Sequence, residues 1–271
     1  MNRLDERLGA LAQEGRKALV AYIVSGDPSP DMTLPAMHAL VRAGADVIEL
    51  GIPFSDPMAE GPVIQRGHER ALASNMSLTD SLAVVSRFRE QDTRTPIILM
   101  GYANPVERMG YAAFAERATA AGVDGVLTVD LPPEEAVETN RLMREAKLHT
   151  IFLVAPTSTE QRIRHVAELA SGFIYYVSLK GVTGAANINT SEVAGKVAEL
   201  KAASALPVMV GFGIKDAESA AAVARTADGV VVGSALVTAM GEGGDVESVC
   251  ARLDAVLSPI RAALDGLANT A

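Results

Sequence analysis

Tryptophan is absent from the 271 residues, and aromatic side chains make up only 4% of them. A core built from this chain is therefore aliphatic. The 49% apolar content supplies it, which suits an interior filled by Val, Ile, Leu and Ala. Positive charge is also scarce: 24 Lys and Arg stand against 33 Asp and Glu, a net charge of −9. An acidic chain without a basic tract repels phosphate backbones, so nucleic-acid binding is not expected. A small anionic ligand stays open, because backbone N–H groups bind phosphate without any Lys or Arg. Cys250 is the one cysteine. It excludes an intrachain disulfide, reads as packing on an amphipathic helix, and points to a reducing compartment, the cytoplasm. No apolar run reaches the roughly 18 residues of a membrane span, so no membrane role is expected. Met1 to Arg16 is charged and reads as an amphipathic helix rather than a signal peptide.

What the chain has is alternation. Eight short apolar runs recur: Leu19–Val24, Val47–Gly51, Pro96–Gly101, Gly125–Asp130, His149–Val154, Phe173–Ser178, Leu206–Gly211 and Gly229–Gly233. Most are nearly continuous, as parallel strands buried on both faces require. Between and after them lie segments with helical spacing: Asp31–Ala43, Thr79–Gln91, Tyr111–Ala121, Pro133–Ala146, Thr159–Leu169, Thr190–Ala203, Ala217–Thr226 and Asp245–Leu267. Ser158-Thr159-Glu160 offers hydroxyl caps and an early acid at a helix start. Ala43-Gly44-Ala45-Asp46 and Ala121-Gly122-Val123-Asp124 recur before strands, where glycine ends a helix in the left-handed conformation. Eight βα units without a linker predict an α/β fold, a (β/α)8 TIM barrel, with residues 1–271 as one domain and an extra N-terminal helix. An open doubly wound sheet is the alternative. The count of eight, and glycine loops after the last two runs rather than the first, favour the barrel.

Those loops are Val210-Gly211-Phe212-Gly213-Ile214-Lys215-Asp216 and Val232-Gly233-Ser234-Ala235. In barrels a phosphate site is often built after strands 7 and 8 with a short helix N-terminus. Glycine lets the backbone approach, and amide N–H groups meet the oxygens. A third loop, Gly181-Val182-Thr183-Gly184, could close over the same anion. The second run, Asp46-Val47-Ile48-Glu49-Leu50-Gly51, carries an acid inside a buried strand, which is costly unless it is paired or functional. With Ile48 and Leu50 packed on helices, Glu49 faces the lumen near the carboxyl end, where barrel active sites lie. In the following loop Asp56-Pro57 is a turn former, and Glu60 could reach back over the mouth. Two carboxylates in unlike surroundings can divide acid–base and charge-stabilising roles. His38, His68, His149 and His165 show no metal-ligand spacing and read as surface or core residues. No predicted strand holds a Schiff-base lysine; Lys180, just past the sixth run, reads as a solvated loop charge.

At this point six segments, in order along nearly the whole chain, resemble the tryptophan synthase alpha subunit family. They are Glu49-Leu50-Gly51-Ile52-Pro53-Phe54-Ser55-Asp56-Pro57, Gly101-Tyr102-Ala103-Asn104-Pro105, Val129-Asp130-Leu131-Pro132-Pro133-Glu134-Glu135, Tyr176 through Gly184, Gly211-Phe212-Gly213-Ile214 and Gly233-Ser234-Ala235. The resemblance implies retro-aldol cleavage of indole-3-glycerol phosphate to indole and glyceraldehyde 3-phosphate. It implies Glu49 as general acid/base and an acid at position 60 beside the indole nitrogen. Tyr22, Leu127, Leu153, Tyr175, Thr183 and Phe212 would contact substrate, and Gly184, Gly213, Ile214, Gly233 and Ser234 would hold the phosphate. It implies an alpha2beta2 complex whose beta subunit carries pyridoxal phosphate, with no cofactor in this chain. Asp56, Pro57 and Asn104 would face beta, and Leu179–Asn189 would form a lid. Aspartate is usual at position 60 in the family and phenylalanine is common at 22; here they are Glu60 and Tyr22. The longer acid raises an alternative, a catalytically weakened subunit acting mainly as an activator of beta. Judged by side-chain length alone, Glu60→Asp should leave or raise the rate.

Overall fold

The computed structural model describes residues 2–177, 190–211 and 213–268. Eight strands pair in chain order: β1 (Ala18–Val24), β2 (Val47–Gly51), β3 (Ile97–Gly101), β4 (Gly125–Thr128), β5 (His149–Val154), β6 (Ile174–Val177), β7 (Val208–Gly211) and β8 (Gly229–Val232). All pairs are parallel, and β8 returns to β1, so the sheet closes. The helices are α1 (Arg3–Gln13), α2 (Pro30–Arg42), α3 (Pro62–Ala73), α4 (Leu78–Arg89), α5 (Ala103–Met109), α6 (Tyr111–Ala121), α7 (Val137–Glu145), α8 (Glu160–Leu169), α9 (Thr190–Ala203), α10 (Ala217–Ala224), α11 (Ser234–Gly241) and α12 (Val246–Ala268). This is the (β/α)8 barrel that the alternation predicts, with α1 as the extra N-terminal helix.

Some boundaries differ from the sequence reading. Pro132 and Pro133 delay α7, because residues 132–136 form i→i+3 turns (Glu135 N to Pro132 O, 3.0 Å; Ala136 N to Pro133 O, 3.3 Å) before the helix begins. β4 ends at Thr128, short of Asp130, and β7 starts only after Pro207, which has no N–H to give a ladder. Helices α3, α5 and α11 were not anticipated. All three begin in residues read as loop: Pro62 opens α3, Asn104-Pro105 lies in the first turn of α5, where proline is tolerated, and Ser234 is the first residue of α11.

Register fixes which side chains point inward. Tyr22 pairs with Glu49, Glu49 with Ile98, Met100 with Leu127, Leu127 with Ile151, Leu153 with Tyr175 and Tyr175 with Met209. Paired residues share a face, and so do residues two apart. The opposite face meets the helices: Val126, Thr128, Thr150 and Phe152 line a small gap together with Phe114 of α6 and Met143 of α7. The first set therefore fills the lumen, Glu49 included.

The amino-terminal end of the barrel is tied by aspartates that precede strands. Gly44 (φ 98°) and Gly122 (φ 91°) take the left-handed conformation expected of them. The aspartate two residues later then accepts an N–H of the neighbouring strand: Asp46 Oδ2 from Leu19 N (2.8 Å) and Asp124 Oδ2 from Ile97 N (2.9 Å). Asp228 does the same for Val208 N (2.9 Å). Each acid is also paired with cations: Asp46 with Arg7 and Arg261, Asp124 with Arg3 and Arg89, Asp228 with Lys201. Because Arg3 and Arg7 belong to α1, these pairs hold that helix to the barrel, and its Leu4, Leu8 and Leu11 are buried.

Candidate active site

Glu49 lies in mid-strand with apolar neighbours, so its carboxylate is fully buried. Both of its oxygens lack a hydrogen-bond partner among the described residues. Burial, and then the charge of Glu60, push its carboxyl up to about 8. At neutral pH Glu49 is therefore largely protonated, the state from which a carboxyl can act as a general acid.

Glu60 arrives from the other direction, on the turn between β2 and α3. Met58 N donates to Asp56 O (2.8 Å) and Glu60 N to Pro57 O (3.2 Å), which folds the segment over the mouth. Pro62 then occupies the first turn of α3, where its missing N–H costs nothing. The Tyr102 hydroxyl donates to Glu60 Oε2, and Gln65 Nε2 donates to its carbonyl (2.8 Å). Burial raises the Glu60 carboxyl to about 7, against the lowering effect of the Tyr102 bond. The two acids thus sit in unlike surroundings: Glu49 in bare apolar lumen, Glu60 on a phenol.

Tyr22 and Tyr175 flank Glu49 in the lumen, and burial holds both phenols well above their ordinary range. Each hydroxyl fits over a glycine of the adjacent strand. A Cβ on Gly51 would stand 2.4 Å from Tyr22 Oη, and one on Gly211 2.3 Å from Tyr175 Oη. Leu127 is fully buried on the same face, and Leu153 is half-buried there. The apolar wall expected around the acids is therefore assembled from β1, β4, β5 and β6.

The loops after the adjacent strands β7 and β8 supply backbone donors. Gly213 (φ 78°) adopts a conformation that favours glycine, and Ile214 is buried beside it. Gly233 caps α11, and its carbonyl accepts from Val237 N at 3.0 Å. No side chain among the described residues caps this helix, so the first N–H groups, from Ser234 onward, are open to an anion. A Cβ on Gly233 would meet Tyr22 Cδ1 at 3.4 Å, which puts this helix end next to the lumen wall. Thr183, Gly184, Phe212, Lys180 and the 179–189 segment lie outside the described residues.

Two residues near the acids had been given no role. Tyr102 continues the inward alternation of Ile98 and Met100 one step past β3, a signal that was available. His68 lies in α3, an unanticipated helix, and is buried against Tyr22 and Phe54. Val63, Ile64, Gly67, His68 and Ala71 share helical spacing, so the histidine could have been placed on the inner stripe. On the mouth's outer rim Asp56 and Asn104 are exposed, as is Met58 at 78%, whereas Pro57 is buried and presents little surface of its own. Cys250 packs on α12 with Sγ 3.7 Å from Pro35 O. Among the described residues no group of three or more His, Cys, Asp or Glu is arranged to hold a metal ion, and no helix is long and apolar enough to cross a membrane.

The sequence profile of the family described as tryptophan synthase alpha chain matches residues 8–264. The chain belongs to the tryptophan synthase alpha chain family. It is 57% identical over 271 residues, the full length of both proteins, to the tryptophan synthase alpha chain of Burkholderia cenocepacia (strain HI2424). To that of Laribacter hongkongensis (strain HLHK9) it is 59% identical over 265 residues, 98% of this chain and 100% of the relative. The crystal structure of tryptophan synthase subunit alpha from Legionella pneumophila str. Paris superposes with a TM-score of 0.90 at 47% identity, covering 98% of this chain and 99% of that one. As a tryptophan synthase alpha chain the protein is a lyase that cleaves indole-3-glycerol phosphate. It works with a beta subunit in an alpha2beta2 complex, and pyridoxal phosphate belongs to beta. Full-length likeness supports this reading over that of an activator-only subunit.

Proposed function

We propose that Glu49 and Glu60 divide the chemistry of the retro-aldol cleavage. Glu49 begins protonated. It delivers its proton to the indole ring carbon that bears the glycerol side chain, and this makes the ring an electron sink. The resulting carboxylate then takes the proton of the hydroxyl on the adjoining side-chain carbon. The C–C bond breaks, its electrons return to the ring, and the aldehyde of glyceraldehyde 3-phosphate forms as Glu49 regains its proton. Glu60, ionised, offsets the positive charge that develops at the ring nitrogen. Tyr22, Leu127, Leu153 and Tyr175 enclose the indole, with Thr183 and Phe212 assigned by family resemblance alone. Gly213, Ile214, Gly233 and Ser234 anchor the phosphate, with Gly184 assigned on the same ground. Asp56, Pro57 and Asn104 belong to the rim that meets beta.

The observation that carries this reading is the fully buried Glu49 carboxyl, without a hydrogen-bond partner among the described residues and within electrostatic reach of a second buried acid. The pH profile of indole formation tests it in the wild type and in Glu49→Gln. The variant should still bind glycerol phosphate but release no indole, and normal turnover would remove Glu49 from the mechanism. We also read residues 1–271 as one domain, supported by the unbroken ring of strands, and place the chain in the cytoplasm, supported by its single cysteine.

A further inference from the structure

Asp130 has no part in the cleavage as read above, yet it touches the chain at the point from which Tyr102 reaches Glu60. It lies just past β4, on the exposed rim. Its Oδ1 accepts the N–H of Ala103 at 2.7 Å. One residue earlier, Val129 N donates to Gly101 O at 2.8 Å. Gly101 O belongs to the peptide that enters Tyr102, and Ala103 N to the peptide that leaves it. Each peptide is a rigid plane, so only φ and ψ of Tyr102 lie between them. Both planes are pinned to the exit of β4, which sets those angles at −108° and 157°.

From that backbone the phenol meets the site. Its hydroxyl donates to Glu60 Oε2 and accepts from Ala59 N, and its ring stacks on Phe54 with centroids 4.9 Å apart. The Val129 bond merely continues the β3–β4 ladder, which backbone alone supplies. The Asp130 bond is made by a side chain and so depends on sequence. Ala103 opens α5, where a helix has no acceptor of its own for the N–H. Tyr102 at the N-cap supplies none from its side chain, and among the described residues Asp130 does. A carboxylate here also works against the site, because its charge raises the Glu60 carboxyl. The Tyr102 bond lowers it, and that is the larger effect of the two.

We infer that Asp130 is a positioning residue that, by accepting the Ala103 N–H, holds the Tyr102 phenol on the Glu60 carboxylate. The inference rests on the reading of Glu60 as the charge-stabilising acid and adds what aims its hydrogen-bond partner. The other ionisable groups that act with Glu60 are Glu49 from β2, Tyr22 from β1 and Tyr175 from β6. All three face it from the lumen, so a change at Asp130 on the rim leaves them in place.

The test is a titration of the Glu60 side-chain carboxyl, followed by 13C NMR, in the full-length chain. Two variants separate the acceptor from the charge. Asp130→Asn keeps an oxygen for the Ala103 N–H and removes the charge, whereas Asp130→Ala removes both. The Glu60 midpoint in Asp130→Ala should lie about half a pH unit above that in Asp130→Asn, because only the alanine variant loosens the phenol. With Tyr102→Phe added to each, the two midpoints should coincide. Midpoints that are equal or reversed with Tyr102 present, or a difference that persists in the Tyr102→Phe background, would overturn the inference. Should Asp130→Ala fail to fold, amide hydrogen exchange in the wild type decides instead. Slower exchange at Ala103 than at Asn104, the next N–H of the same turn, supports the inference, and equal rates defeat it. Indole release enters neither measurement. A Glu60→Gln variant with full turnover would therefore sink the charge role of Glu60 and leave the titration result standing.

Discussion

The Tyr102 phenol donates to Glu60 Oε2 and at the same time accepts the N–H of Ala59 at 3.1 Å. One hydroxyl thus holds both the side chain of residue 60 and the backbone just before it. A hydrogen bond to a charged group contributes roughly 1.5–3 kcal/mol. Tyr102→Phe is therefore expected to slow indole release by about 10- to 100-fold. The pH profile supplies the diagnostic. On the proposed division of roles, turnover needs Glu60 ionised and Glu49 protonated, with midpoints raised to about 7 and about 8, which defines a narrow bell. The Tyr102 bond lowers Glu60, so its loss moves the acid limb upward and narrows the bell further. A profile whose acid limb stays in place would show that the phenol does not support the Glu60 charge.

The same contact bears on the acid's length. Judged by chain length alone, Glu60→Asp leaves or raises the rate. The structure argues the other way, because Tyr102 is anchored by Ala59 N–H independently of Glu60, and a carboxylate one methylene shorter retreats from a fixed phenol. We expect Glu60→Asp to lower the rate, and Tyr102→Phe to cost little more in that background than Glu60→Asp alone. Steady-state rates of the two single variants and the double variant decide it. Fully additive losses would mean that the loop moves to keep the bond.

Glu49 also sets a stability cost that depends on pH. Its folded midpoint of about 8 lies above its ordinary value, so the folded chain holds a proton that the unfolded chain releases. The stabilising contribution is complete below the unfolded pKa of about 4.5 and is lost as pH rises through about 8. Each pH unit of that window is worth about 1.4 kcal/mol. Glutamine does not titrate, so Glu49→Gln should match the wild type near pH 5 and exceed it by a few kcal/mol at about pH 8.5. Urea midpoints at the two pH values measure this. A gap between the two midpoints that stayed constant from about pH 5 to about pH 8.5 would place the carboxyl in contact with solvent.

Much of this was legible in the sequence because one physical rule, burial on both faces, produces the continuous apolar runs from which the barrel was read. Glu49 stood out by violating that rule within a strand. The glycines after β7 and β8 were legible because glycine alone tolerates the conformation that Gly213 takes and the close backbone approach such loops permit. Helices α3 and α11 were not: each starts directly out of a loop rich in Gly and Pro or Ser, and α11 is apolar almost all round, so no 3.6-residue contrast marks it. His68 disappeared with α3. Tyr102 lay just past a strand end, where alternation still governs side-chain direction but no apolar run remains to show it. The bond between Tyr102 and Glu60 joins two separate loops, and no local pattern encodes that meeting.

At the opposite end of the barrel, Asp124 is buried and serves three donors: Arg3 Nη1 (2.9 Å), Arg89 Nη2 (2.8 Å) and Ile97 N (2.9 Å). Arg89 is itself nearly enclosed, and burial lowers its guanidinium to about 10 despite the pairing. Removing the acid strands a buried cation and a strand N–H together, a loss of roughly 3–5 kcal/mol. Asp124→Ala should therefore lower the urea midpoint sharply. Glu49 lies in mid-strand and Glu60 beyond the carboxyl end of β2, both away from this tie, so the folded fraction should keep the wild-type pH profile for indole release. Asp124→Asn retains an acceptor for Ile97 N–H and should recover part of the stability. If Asp124→Ala changed the pH profile while leaving the midpoint in place, this aspartate would be acting on the chemistry rather than on the closure of the barrel.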